Sequence, residues 1–218
     1  MLYPFTGSIQ QYRERVELRE EGDRCRPVKC PQCKSKQPLV CHGFYARTVE
    51  DQAEGFIIRV RRYLCVACRR TVSLLPEFVL PYIRFTIVTI GLFLTARLLE
   101  RRTLKAAAEA VQQPRMPYQR GQQWVDRFRR QAEGLSLSLT TLMSAIEAAD
   151  FVTKALTMLE RVGWIRAHRF LFTALRVHLL GWPRFLAPRG FAVTINGGNR
   201  ARGDFPQSTC MASESSSA

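Results

Sequence analysis

Acidic residues are scarce in this 218-residue chain, with 18 Asp and Glu against 33 Lys and Arg and a formal net charge of +15. A surface that basic is expected to face a polyanion, either nucleic acid or anionic lipid. Long apolar runs are missing as well. The most apolar stretch, Phe85 to Ala96, is closed off by Arg84 and Arg97 and falls short of the roughly 20 residues that a membrane-spanning helix needs. The opening Met1-Leu2-Tyr3-Pro4-Phe5 has neither the basic nor the apolar region of a secretory signal. These absences predict a cytoplasmic protein that does not engage a membrane. The chain has only three histidines. Two of them, His168 and His178, lack an acidic or cysteine neighbour at ligand spacing, so both are expected to be structural.

Cysteine is present in an odd number, seven, and its arrangement points to metal rather than to disulfides. Cys30-Pro31-Gln32-Cys33 is answered by Cys65-Val66-Ala67-Cys68. Two cysteines separated by two residues form a knuckle that aims both sulfurs at one spot. Two such knuckles supply the four thiolates of a closed tetrahedral zinc site. One structural zinc on Cys30, Cys33, Cys65 and Cys68 is therefore expected. Cys25, Cys41 and Cys210 are left over. Cys41 and His42 are both zinc-binding types, but neighbours on a strand face opposite sides and cannot both reach one ion. Either of them, or Cys25, remains open as a replacement for a knuckle cysteine.

The chain between the knuckles reads as a β-hairpin. Leu39 to Thr48 and Phe56 to Leu64 are the predicted strands, around a turn from Val49 to Gly55. In the second strand Phe56, Ile58 and Val60 alternate with Ile57, Arg59 and Arg61, the period-two pattern of a half-buried strand. A third strand is expected at Thr71–Leu75. Ser8 to Glu20 reads as an amphipathic helix capped by Ser8, with Ile9, Tyr12 and Val16 on one face. Pro76 and Pro81 bracket an extended connector.

Helical patterns follow. Arg84 to Glu100 reads as a buried first helix, and Leu104 to Gln112 as a short second one capped by Thr103. The break Gln113-Pro114-Arg115-Met116-Pro117 leads into a third helix starting near Tyr118, with Trp124 and Phe128 on its buried side. Three helices, the last two joined tightly, outline a helix-turn-helix unit. Between Arg84 and Arg130 the only acids are Glu100, Glu109 and Asp126. Arg120, Gln123, Arg127 and Arg130 become the candidate DNA contacts, because arginine suits guanine edges and phosphate, and glutamine suits adenine. Beyond Gly134 the apolar stripes continue without a charge bias and read as core or dimer surface.

The expected fold class is α+β: an N-terminal β-hairpin zinc ribbon followed by a mainly α-helical region. The expected divisions are an N-terminal arm or short helix (1–23), the zinc ribbon (24–80), the helix-turn-helix-like unit (81–132) and a helical C-terminal region (133–182). An irregular, disordered tail (183–218) is expected to close the chain.

Three stretches together resemble a known family. They are Cys30-Pro31-Gln32-Cys33 with His42-Gly43-Phe44-Tyr45 behind it, the run from Arg61 through Cys65-Val66-Ala67-Cys68 to Pro76, and the helical unit ending near Trp124. The combination resembles the N-terminal region of bacterial insertion-sequence transposases and small bacterial proteins that share their zinc ribbon. The resemblance implies DNA recognition, with the knuckle cysteines as zinc ligands. A transposase would continue into a nuclease domain whose metal-binding acids converge from a sheet. The acids after Arg130 (Glu133, Glu147, Asp150, Glu160, Asp204 and Glu214) sit at the end of no recognisable strand. The expectation is therefore a non-enzymatic DNA-binding protein with no small-molecule substrate. The alternative is a zinc-stabilised protein-interaction adaptor that forms a homodimer through its helices.

Overall fold

In the computed structural model, residues 1–3, 5, 7–17 and 26–182 are described. Cys25, Cys210, the last turn of the predicted first helix and the predicted tail lie outside them. The described residues form a mixed α+β fold with a four-stranded sheet and six α-helices.

The sheet has the order β1-β4-β3-β2. β2 (Leu39–Asp51) and β3 (Glu54–Cys65) form the expected hairpin. It is longer than the alternation alone suggested. Its turn is only Gln52-Ala53, with Gln52 at φ 48°. β4 (Thr71–Pro76) pairs antiparallel with β3, and β1 (Leu2–Tyr3) adds a parallel edge to β4. Ile58 and Val60 are fully buried while Ile57 and Arg59 face solvent, the period-two pattern read from the sequence. α1 (Ile9–Glu17) is capped by Ser8, whose Oγ accepts from Gln11 N at 3.2 Å. The helix sets Tyr12 against Phe78 edge to face, with ring centroids 5.6 Å apart.

α2 (Ile87–Leu98), α3 (Leu104–Ala110) and α4 (Tyr118–Leu139) pack on one another. Thr103 caps α3 as its position suggested, its Oγ1 accepting from Ala106 N at 3.1 Å. Trp124 from α4 meets Phe85 and Phe93 edge to face at 4.9 and 5.4 Å. Gly121 is what lets α4 approach: a Cβ there would lie 2.7 Å from Phe93 Cζ. α5 (Phe151–Val162), α6 (Trp164–Phe170) and a π-helical turn (Leu171–Leu175) complete the helical core. No helix of the described residues is long and apolar enough to cross a membrane.

Two expectations about boundaries change. α4 runs without a break through residues 132 and 133, because Ala132, Leu135 and Leu139 continue the buried stripe of Trp124 and Phe128. The proline-bracketed segment is not an extended connector. Residues 76–81 are buried and turned, and Glu77 is paired with Arg169.

The hairpin turn is also fastened to the helices. Glu50 N donates to Arg84 O at 2.8 Å, and Thr86 N donates to Glu50 O at 3.0 Å. Asp51 Oδ1 accepts from Thr86 Oγ1 at 2.6 Å and from Thr89 Oγ1 at 3.2 Å. Arg47 donates to the carbonyls of Leu80 and Ile83 at 2.6 and 2.5 Å. Gln113 donates its side-chain amide to Gln52 O. The bonds of Asp51 and Arg47 are charge-assisted and so among the stronger ones in proteins, and with the neutral ones they hold the hairpin turn against the start of α2 and the segment before it.

Candidate metal centre and basic helical face

The two knuckles have the same backbone. Cys30 N donates to Ser35 O at 2.9 Å and Lys34 N to Cys30 O at 3.0 Å. Cys65 N donates to Arg70 O at 3.0 Å and Arg69 N to Cys65 O at 2.9 Å. In each, the fourth residue after the leading cysteine is left-handed, Lys34 at φ 63° and Arg69 at φ 57°. The hairpin register then brings the two together, since Leu39 at the start of β2 sits opposite Cys65 at the end of β3.

All four sulfurs lie within 4.8 Å of one another. Cys30 Sγ is 3.8 Å from Cys68 Sγ, and Cys33 Sγ is 3.7 Å from Cys65 Sγ. A zinc ion with Zn–S bonds of about 2.3 Å would set its sulfurs ~3.8 Å apart in a tetrahedron. The cluster can therefore hold a metal ion such as zinc. Cys30 and Cys65 are buried, Cys68 is half-buried and Cys33 is exposed. Hydrogen bonding from the Cys33 backbone N–H, aided by Gln32 N–H and the neighbouring thiols, brings Cys30 down to about 6 against the opposing effect of burial. At Cys68 the largest influence, the Arg70 backbone N–H, favours the thiolate. Burial and the bonds to Cys65, Cys33 and Cys30 nevertheless push Cys68 up to about 11. Negative charge on the first sulfur makes the next harder to ionise, and a bound cation reverses that repulsion.

Among the described residues the cluster comprises those four cysteines, joined by neither Cys41 nor His42. Cys41 is exposed and lies opposite Tyr63. The register slips between Cys41 and Phe44, where Gly43 has φ 77°. Such a bulge inserts one extra residue and re-aims the side chains on either side.

The second candidate site lies on α4. Arg120, Gln123 and Arg130 are exposed, while Trp124, Val125 and Phe128 are buried on the other side of the helix. Asp126 accepts from Gln122 Nε2 at 2.9 Å. Arg127 does not share the freedom of its neighbours. It is half-buried, donating Nε to Leu180 O at 2.7 Å and Nη2 to Gly181 O at 2.6 Å. Burial, followed by the nearby Arg130, lowers its pKa. Arg127 therefore fastens residues 180–181 to α4, a task that its position in the basic stripe did not reveal. Phe44 stood in the sequence only as part of a resemblance; in the structure Arg59 and Arg61 lie over its ring, with centroid distances of 4.7 and 4.9 Å. The period-two pattern put the two arginines on one face, but the bulge hid their register with Phe44.

Residues 30–113 match the model of a protein family described as a domain of unknown function, DUF6431. The similar segment opens at the first knuckle cysteine and ends at Gln113, the residue that ties α3 to the hairpin turn. α4 lies beyond it. No curated protein and no solved structure matches the chain.

Proposed function

We propose that this is a metal-stabilised DNA-binding protein. In this reading one structural zinc on Cys30, Cys33, Cys65 and Cys68 closes a zinc ribbon, and α2, α3 and α4 act as a helix-turn-helix-like unit that presents α4 to DNA. The observation that carries the reading is the division of α4. Its apolar side is anchored by Trp124 and Phe128, and its solvent side offers Arg120, Gln123 and Arg130. Side chains of those types on a rigid helix suit base edges and phosphates. The resemblance of the knuckles and the helical unit to the N-terminal region of insertion-sequence transposases supports the same reading and a mobile-element origin.

The protein binds without cutting. Two acids of the C-terminal half have structural partners: Asp150 caps α5, and Glu160 accepts from Thr95 Oγ1 at 2.7 Å. Neither arrangement gathers carboxylates as two-metal phosphoryl chemistry requires.

The test is duplex binding across a salt series. Contacts to phosphate release counterions, so affinity should fall steeply as salt rises. No detectable duplex binding, with capture of one protein partner that added salt does not disturb, would refute the reading. It would favour the adaptor, for which the exposed Val88 and Leu92 beside Trp164 are the supporting observation.

A further inference from the structure

The charge of the hairpin is sorted by position. From Arg26 to Val49 and from Gly55 to Pro76 there is no aspartate or glutamate, while lysine and arginine recur along β3 and around both knuckles. The acids of this region, Glu50, Asp51 and Glu54, are strand residues flanking the turn. Asp51 there is committed to Thr86 and Thr89. One end of the hairpin is thus fastened to the helices, and the other end has no carboxylate, its lysines and arginines outnumbering the net negative charge that a divalent ion on four thiolates would leave.

The outer face of the same hairpin carries a preset arginine pair. Phe44 lies directly opposite Arg61, and Ala46 opposite Arg59. Both guanidinium groups stack on the Phe44 ring, and Arg59 is exposed. Thr48 and Ile57, the next pair along this face, are exposed as well, Ile57 by 64%. Stacking fixes the guanidinium plane and leaves its N–H donors in that plane, so less side-chain freedom is lost when a phosphate binds. The other face repeats the device, with Arg62 over Tyr45 at 5.7 Å.

From this geometry we infer a second nucleic-acid contact: the outer face of β2 and β3, centred on Phe44, Arg59 and Arg61, binds the phosphate backbone of DNA. The inference rests on the DNA-binding reading given above, but it concerns a separate surface outside α4. It makes the affinity bipartite, with α4 and the hairpin each contributing phosphate contacts.

The experiment compares four full-length, metal-loaded proteins by duplex-DNA anisotropy over a potassium chloride series: the parent, the hairpin variant Arg59→Gln, Arg59→Lys, and Arg120→Ala with Gln123→Ala. Equal metal content and melting temperature establish that each is folded. The hairpin variant should lose affinity at every salt concentration, with the slope of log affinity against log salt smaller by about one. Arg59→Lys, which keeps the charge but loses the planar stacking group, should keep the slope and bind more weakly than the parent. An unchanged slope and affinity in the hairpin variant overturns the inference, whether or not the α4 variant is impaired. If the hairpin variant is impaired and the α4 variant is not, the hairpin contact stands and the α4 reading falls. Loss of binding to phosphatidylserine vesicles with intact DNA binding would also overturn it, by assigning the cationic face to lipid.

Discussion

Lys34 and Arg69 occupy equivalent places in the two knuckles. Each stands four residues after its leading cysteine, each is left-handed, and each donates its backbone N–H to that cysteine's carbonyl. Left-handed backbone costs an ordinary residue roughly 1–2 kcal/mol, which glycine avoids, although glycine also loses more freedom on folding. Lys34→Gly should therefore change stability by no more than about 1 kcal/mol. Lys34→Val, with its branched Cβ, should destabilise the knuckle and speed metal loss to a chelator. Chelator competition and thermal melting check both. A valine variant that held its metal as firmly as the parent would contradict the strained geometry.

The four-sulfur cluster predicts a sharp division among the cysteines. Cys33→Ser or Cys68→Ser should abolish stoichiometric metal binding and melt the hairpin, because the binding energy of a structural site is folding energy. Cys41→Ser should leave metal content at one ion per chain. Elemental analysis with circular dichroism reads the outcome.

Gly121 and Gly91 mark close contacts. A Cβ on Gly121 would meet Phe93, and one on Gly91 would lie 2.7 Å from Trp164 Cε2. Overpacking of this kind costs typically 1–3 kcal/mol, so Gly91→Val and Gly121→Val should each lower stability by about that much. Urea denaturation measures it. Neutral effects from both would mean the helices separate more easily than their packing suggests.

Acid should weaken the helical core through its two buried histidines. Burial, then the neighbouring His178, holds His168 down to about 3. His178 is held down to about 4 by burial and then Arg127, against a raising contribution from the Pro81 backbone. Neither ring nitrogen of His168 has a hydrogen-bond partner. Because both folded values are depressed, the unfolded chain takes up protons first. Their contribution is whole above the unfolded value of about 6.5 and falls as pH drops towards 4 and then 3. At pH 5 each histidine costs about 2 kcal/mol relative to neutral pH. His168→Leu should flatten the acid limb of a stability–pH curve by that amount. An unchanged limb would locate the acid sensitivity elsewhere, with the thiols as the first suspects.

Local patterns carried much of this structure into the sequence. The knuckles, the alternation of Ile58 and Val60, and the Thr103 cap each depend on residues a few places apart, so spacing alone displayed them. Trp124 and Phe128 were legible because their spacing of four puts both on one helical face. What stayed hidden depends on distant partners. Arg127 looked like its neighbours Arg120 and Arg130 until Leu180 and Gly181 were seen to take its donors. The reason for a glycine at 121 inside a helix is likewise distant, the Phe93 ring on α2. Pro76 and Pro81 suggested a connector, whereas the turns between them are buried under contacts from Arg47 and Arg169.

The division of labour along α4 gives the most direct test of DNA binding. Arg120→Ala with Gln123→Ala should melt with the parent and bind duplex DNA more weakly, with a loss on the order of 1–3 kcal/mol for a base contact or a salt slope smaller by about one for a phosphate contact. Arg127→Ala should behave differently, losing stability by releasing residues 180–181 before any effect on binding appears. The measurement is duplex affinity of the folded Arg120→Ala, Gln123→Ala protein across a salt series, beside that of the parent. A weaker, still folded variant is the predicted result. A folded variant that binds DNA as tightly as the parent at every salt concentration would contradict the assignment of α4 as the recognition helix.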